Sequence, residues 1–266
     1  YFVENSGAKI MLCDSRNEPS LTPVADAAGA QLKTLNTDGG GTLATEAAQQ
    51  PATFETVDRD VDDLAAFLYT SGTTGRSKGA MLTQGNLLSN AETLAGYWRF
   101  TDRDVLLNAL PIFHTHGLFV ATNITLIAGG SMIFLPKFDL DQVLQHLPHA
   151  STMMGVPTFY TRLLGDGRFD RELVDHMRLF VSGSAPLLSE THDQFVARTG
   201  HRILERYGMT ETNMNTSNPY EGARRAGTVG MPLPGVELKI TNAISGETLP
   251  AGETGQIEVR GPNVFK

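Results

Sequence analysis

The chain has 266 residues, enough for one large domain or two modest ones. Its 21 Lys+Arg against 29 Asp+Glu leave a formal charge of −8, which argues against nucleic acid or an anionic membrane as main partner. An apolar content of 41 % with 27 Gly fits a soluble α/β protein, a single cysteine (Cys13) rules out an internal disulfide, and no apolar run approaches the ~20 residues of a membrane span.

Lys9 to Asp14 reads as a buried strand, a short apolar run ending in an acid. Residues 19 to 62 are weakly patterned, with a helix and strand expected within Val24–Leu35 and a turn at Asp38–Gly41. The acidic stretch Glu55–Asp63 reads as an exposed lead-in. An apolar run, Leu64–Leu68, is expected as a strand or the end of a short helix. It feeds Y-T-S-G-T-T-G-R-S-K-G, residues 69–79. Glycines let backbone approach an anion closely, and successive N–H groups and hydroxyls can cradle phosphate. The candidate ligands are Thr70, Ser71, Gly72, Thr73, Thr74, Gly75 and Lys78. A plain surface turn is the bland alternative. A Walker A loop fails, because Ser77 stands where its second Gly belongs and Gly79 where it needs Ser/Thr.

Thr83 is a candidate N-cap for a helix over Asn86–Trp98, whose apolar residues recur at helical spacing. Strands are expected over Asp104–Pro111, Ser131–Leu135, from Ser151 to Gly155, over Leu179–Pro186 and over Arg202–Gly208. Helices are expected before Gly129, over Leu140–Leu147 and over Ser189–Thr199. This alternation predicts an α/β fold: mostly parallel sheet with helices on both faces, binding its ligand at the carboxyl ends of the strands. Clusters His114–His116, Ser182–Pro186 and Arg206–Thr212 all follow strands, so they are expected to converge. From Gly235 the period becomes two, over Val236–Thr241 and Ile257–Arg260, which reads as antiparallel strands. The expected division is residues 1–234 as the α/β portion and 235–266 as the start of a small antiparallel β subdomain.

T-S-G-T-T-G-x-x-K-G resembles the phosphate loop of the adenylate-forming enzymes: acyl-CoA synthetases, adenylation domains and luciferases. E-R-Y-G-M-T-E (205–211), S-G-S-A-P (182–186), F-H-T-H-G (113–117), 227–235 and 255–261 repeat the resemblance in the family's order. The resemblance implies an ATP-dependent acid–thiol ligase that uses ATP, Mg²⁺, coenzyme A and a small carboxylic acid. It implies Lys78, Thr210, Glu211 and His114 as catalytic residues, with Glu211 on the metal. Ser182, Gly183, Ser184, Ala185, Pro186, Glu205, Tyr207, Gly208, Met209 and Thr210 would join the loop around the nucleotide. His114, Ser182 and Arg206 would meet the acid. His116 is expected as a satisfied structural histidine. A metal site at His114 and His116 lacks a nearby third ligand. The family's ribose aspartate and catalytic lysine have no counterpart in these residues, and both ends look cut. A cytoplasmic location is expected.

Arg206 precedes Tyr207 where family members for uncharged acyl tails often carry a small or neutral residue. Its fork suits a second carboxylate on the substrate, and 205–217 closely resembles malonyl-CoA synthetases. Malonate or methylmalonate is the expected acid. The alternatives are an ion pair of Arg206 with Glu205 or Glu211, a synthetase for a monocarboxylic acid, and a non-catalytic nucleotide-binding fragment. Oligomeric state is not legible.

Overall fold

The structure is a computed structural model that describes residues 1–70 and 76–266. The chain divides into two compact units, Tyr1–Arg59 and Asp60–Lys266.

The first unit contains helices α1 (Phe2–Ser6), α2 (Glu18–Ala28) and α3 (Thr42–Ala47), and strands β1 (Ile10–Cys13) and β2 (Gln31–Thr34) paired in parallel. The expectation that Lys9–Asp14 is buried is corrected here: Ile10 and Leu12 are 58 % and 51 % exposed. An apolar run is buried only if a second layer covers its face, and β1 is paired only along its edge with β2.

The second unit is built on a seven-stranded sheet ordered β11-β10-β9-β8-β7-β5-β6. The strands are β5 (Val105–Asn108), β6 (Ser131–Phe134), β7 (Thr152–Gly155), β8 (Leu179–Ser182), β9 (Leu204–Met209), β10 (Asn213–Ser217) and β11 (Met231–Pro232). From β6 to β9 every neighbour is parallel, and β10 is antiparallel both to β9 and to β11. The flanking helices are α4 (Gln84–Tyr97), α5 (Thr122–Ile127), α6 (Leu140–His146), α7 (Pro157–Leu164), α8 (Arg171–Val174) and α9 (Ser189–Thr199).

Both faces of the sheet are covered because alternate side chains of one strand point to opposite sides. Leu107, Met153, Phe180 and Ile203 enter a core with Val143, Leu147, Tyr160 and Phe195. Their neighbours Leu106, Met154, Leu179, Val181 and Leu204 enter the other, with Leu94, Trp98, Val120 and Ile124. Each such large side chain, fully buried, stabilises the fold by about 1.5–3 kcal/mol. The Trp98 indole donates to Ser217 Oγ at 3.0 Å, which satisfies the one polar atom that burial would otherwise orphan. Beside Trp98, Asp104 takes a bidentate pair from Arg178, with Nε at 2.6 Å and Nη2 at 2.7 Å, while Arg178 Nη1 donates to Trp98 O at 3.0 Å.

Three elements differ from expectation. Ala80–Leu82, between the Gly-rich stretch and the expected helix, belongs to a further strand, β4 (Lys78–Thr83), which pairs antiparallel with β3 (Leu64–Thr70). β9 runs through Tyr207 to Met209 and turns back into β10 instead of ending in a loop. The helix after Pro111 begins as a π-helical turn, His116–Ala121, before α5. The last two strands, β12 (Glu237–Thr241) and β13 (Gln256–Arg260), pair antiparallel as the alternation predicts and remain within the second unit.

Candidate active site

The chain passes from β5 to β6 on one side and returns to place β7 on the other side of β5. Such a reversal opens a crevice at the carboxyl ends of the strands, between loops that leave in opposite directions. A cavity of about 720 Å³ lies there, bordered by Leu110–Pro111 and His114–Gly117 after β5 and by Val156 after β7. Ser184 follows β8 into its wall, and Gly208–Glu211 close it at the end of β9. Thr70 and Lys78, cross-strand partners at the mouth of the β3–β4 hairpin, face the same space. A second cavity of about 360 Å³ adjoins it, lined by Ser182, Ser184–Leu187, Glu205–Gly208, Gly227 and Val229.

The sequence-derived residues distribute simply. Thr70, Lys78, His114, Met209, Thr210 and Glu211 line the larger cavity only. Ser182, Ala185, Pro186, Glu205 and Tyr207 line the smaller one only. Ser184, Arg206 and Gly208 border both. Gly183 lines neither, yet it is tightly constrained: a Cβ there would lie 2.3 Å from Arg206 Cζ, so the guanidinium rests on its bare Cα. Ser71, Gly72, Thr73, Thr74 and Gly75 lie outside the described residues.

Arg206 is 3 % exposed. Its Nε and Nη2 are buried and donate to no partner, and among the described residues no carboxylate forms an ion pair with it. The pairings with Glu205 and Glu211 are therefore absent. Loss of hydration pushes its pKa from 12.5 down to about 10, so it is still a cation at neutral pH. A buried cation with unused donors is a costly arrangement that an anion would relieve.

His116 corrects another expectation. It is buried, its Nδ1 meets Ser184 Oγ at 3.2 Å, and its Nε2 has no partner. Burial, and then the charge of Arg206, hold its pKa well below 6.5, so it is neutral at pH 7. His116 opens the π-helical turn and is buried, whereas His114 precedes that turn and is exposed, its ring tilted at 55° to that of Phe113 with centroids 4.6 Å apart. Ser184 reaches His116 from a left-handed backbone (φ 67), a conformation that costs a serine energy and persists where surroundings enforce it.

The β9–β10 turn presents Thr210 and Glu211. Gly208 is required beneath it, since a Cβ would meet Asn213 O at 1.9 Å across the hairpin. Glu205 accepts from Gly227 N at 3.2 Å, and burial raises its pKa. Among the described residues no three His, Cys, Asp or Glu gather as a protein-only metal site, and no helix is long and apolar enough to cross a membrane. Among the described residues Glu211 is the one carboxylate on the larger cavity's wall, which suits a Mg²⁺ that takes one carboxylate and fills its shell with phosphates and water. Val156, Met214 and Phe265 also line this cavity, and nothing in their local sequence marks them.

The sequence model of the family described as "AMP-binding enzyme" matches residues 1–266. The malonate–CoA ligase of Arabidopsis thaliana is 36 % identical over 288 residues, covering 100 % of this chain and 47 % of its own length. ATP-bound MatB from Rhodopseudomonas palustris has a TM-score of 0.97 at 59 % identity, covering 100 % of this chain and 53 % of that one. A malonyl-CoA ligase in a ternary product complex with methylmalonyl-CoA and AMP has a TM-score of 0.81 at 36 % identity, covering 100 % and 55 %. The chain spans about half the length of the curated relatives it matches.

Proposed function

Because this chain belongs to the AMP-binding enzyme family over residues 1–266, we propose that the full-length protein containing it is an acid–thiol ligase. It converts a carboxylic acid, ATP and coenzyme A into an acyl-CoA, AMP and pyrophosphate. The acid is a short dicarboxylate, malonate or methylmalonate.

The carrying observation is the buried guanidinium of Arg206 with Nε and Nη2 unpartnered beside the larger cavity. One carboxylate of the substrate sits on Arg206, with neutral His116 and Ser184 beside it. With the Ser184 hydroxyl donating to Nδ1, the His116 proton lies on Nε2 and offers the same carboxylate an N–H. The other carboxylate then reaches the phosphate side of the cavity, near Thr210. Its oxygen attacks the α-phosphorus of ATP, the bond to the β-phosphate oxygen breaks, and pyrophosphate leaves. The thiol of coenzyme A then attacks the acyl carbon and AMP leaves with its oxygen.

Lys78 and Thr70 face the phosphates, and Tyr207 with 184–186 encloses the adenine in the smaller cavity. Glu211 holds Mg²⁺, which neutralises phosphate charge when bound. The division of labour is positioning and charge stabilisation. The relatives named for malonate support the choice of acid, and so does the absence of any carboxylate partner for Arg206 among the described residues.

The test is acid-dependent ATP–pyrophosphate exchange by the full-length protein with malonate, methylmalonate, acetate, butyrate and benzoate. Exchange with the two dicarboxylates is expected. Exchange with none of the five defeats the ligase reading. Exchange with butyrate or benzoate but not malonate leaves a ligase and defeats the dicarboxylate.

A further inference from the structure

The segment Gly261–Lys266 follows β13 and touches two elements that border the larger cavity from different sides. Asn263 is 1 % exposed. Its Nδ2 donates to Thr212 O at 2.7 Å, to Asn215 Oδ1 at 3.0 Å and to Met214 O at 3.3 Å. Phe265 N donates to Glu211 O at 2.9 Å. This segment therefore grips the β9–β10 turn that presents Thr210 and Glu211.

On its other side the same segment is held by the start of α4. Asn86 Nδ2 donates to Pro262 O and to Val264 O, both at 2.8 Å. Asn86 is also half of the capping box at Thr83, the last residue of β4, with Thr83 N on its Oδ1 at 3.0 Å. Lys266 N reaches Met81 O in β4 at 3.3 Å. β4 opens with Lys78, so one continuous set of hydrogen bonds, buried at Asn263 and partly buried at Asn86, runs from the strand bearing Lys78 to the turn bearing Glu211.

We infer that residues 261–266 form a clasp that fixes the spacing between Lys78 and Glu211, with Asn263 as its positioning residue. The inference rests on the reading that the triphosphate and Mg²⁺ occupy the larger cavity. None of the acceptors of Asn263 lines the smaller, adenine-sized cavity. Loosening the clasp therefore acts chiefly on MgATP, whose triphosphate and Mg²⁺ span Lys78 to Glu211, and much less on AMP, which meets the turn through its single phosphate, whereas general loss of structure would weaken both alike. An Asn263→Asp change turns the two donors into acceptors facing three acceptors. Asn86→Asp keeps the capping oxygen and removes only the grip on 262 and 264.

The experiment uses the full-length protein. Calorimetric titration with AMP and with MgATP is expected to find MgATP weakened about tenfold or more in both variants, the scale of one or two lost net hydrogen bonds, and AMP within about twofold of wild type. Equal weakening of both nucleotides, or of neither, overturns the clasp. A second measurement needs no variant. Hydrogen–deuterium exchange of the wild type is expected to slow in the 261–266 peptide on adding MgATP and not AMP. Protection of 209–213 without 261–266 overturns the inference even where both variants fail to fold. A wild type that binds no MgATP instead defeats the functional reading, and the clasp with it.

Discussion

Replacing Arg206 with Met should make the protein more stable and worse at its proposed task. In the folded state the guanidinium has lost its water and gained no carboxylate, and its pKa stands near 10 instead of 12.5. At about 1.36 kcal/mol per pKa unit, that burial penalty is roughly 3 kcal/mol. Methionine retains an apolar stem against Gly183 but leaves some volume empty, which returns about 1 kcal/mol. The net gain is about 1–2 kcal/mol, or a rise of roughly 2–8 °C in Tm for a protein of this size class. Both folded and unfolded states carry the Arg206 proton below about pH 9, so this gain is flat across neutral pH. The same change removes a charge-assisted pair with the substrate worth about 1.5–3 kcal/mol, or about ten- to a hundredfold in kcat/KM for malonate. Butyrate, which has no second carboxylate, should be used as well as before or better. The assays are thermal denaturation with and without malonate, and kcat/KM for malonate against butyrate, wild type beside Arg206→Met. Malonate should raise the Tm of wild type alone. A variant that melts lower than wild type and loses both acids in parallel would refute the reasoning, and Arg206 would be a structural residue.

Two further outcomes follow from the same site. Gly183→Ala places a methyl 2.3 Å from Arg206 Cζ, so the guanidinium must move; malonate use should fall at least tenfold while butyrate use and AMP affinity are kept, and equal loss of all three would point to a collapsed β8 end instead. His116 has a folded pKa well below 6.5, so the unfolded chain takes up its proton first and stability is lost as pH falls below 6.5. Buried His192 and half-buried His201 act in the same direction, whereas Glu205, with its raised pKa, adds stability as pH falls towards 4.5. Tm measured from pH 7.5 to 5.5 should therefore decline, and His116→Asn should remove about 1.4 kcal/mol of the stability lost over that whole interval; an unchanged slope would show that His116 is accessible to protons in the folded protein.

Local sequence determined the parts whose signal is periodic or composed of neighbours. Leu106–Leu107, Met153–Met154 and Leu179–Val181 are continuous apolar runs, the pattern that suits strands covered on both faces of a parallel sheet, and both faces are covered here. Val236–Thr241 alternates, and it is a strand of a two-stranded antiparallel pair. The position of Arg206 beside Tyr207 was likewise legible, because strand neighbours face opposite ways, and only Arg206 of the two reaches the larger cavity.

What depended on partners distant in sequence was decided by the tertiary structure. Ala80–Leu82 pairs with Ala66, Phe67 and Leu68 in an antiparallel ladder, and no local pattern distinguishes that from the lead into a helix. Whether Arg206 has a counter-ion is settled by Gly183 beneath it and by which carboxylates the fold brings near. His116 lost its expected role as a satisfied histidine because its surroundings are Ser184 and Arg206, 68 and 90 positions away. Asn263 reads in sequence as a turn residue after a strand. Its importance comes from carbonyl oxygens about 50 residues earlier, which become its acceptors only once β9 and β10 have folded against α4. Burial and hydrogen-bond satisfaction are properties of the assembled neighbourhood, so a single segment cannot encode them alone.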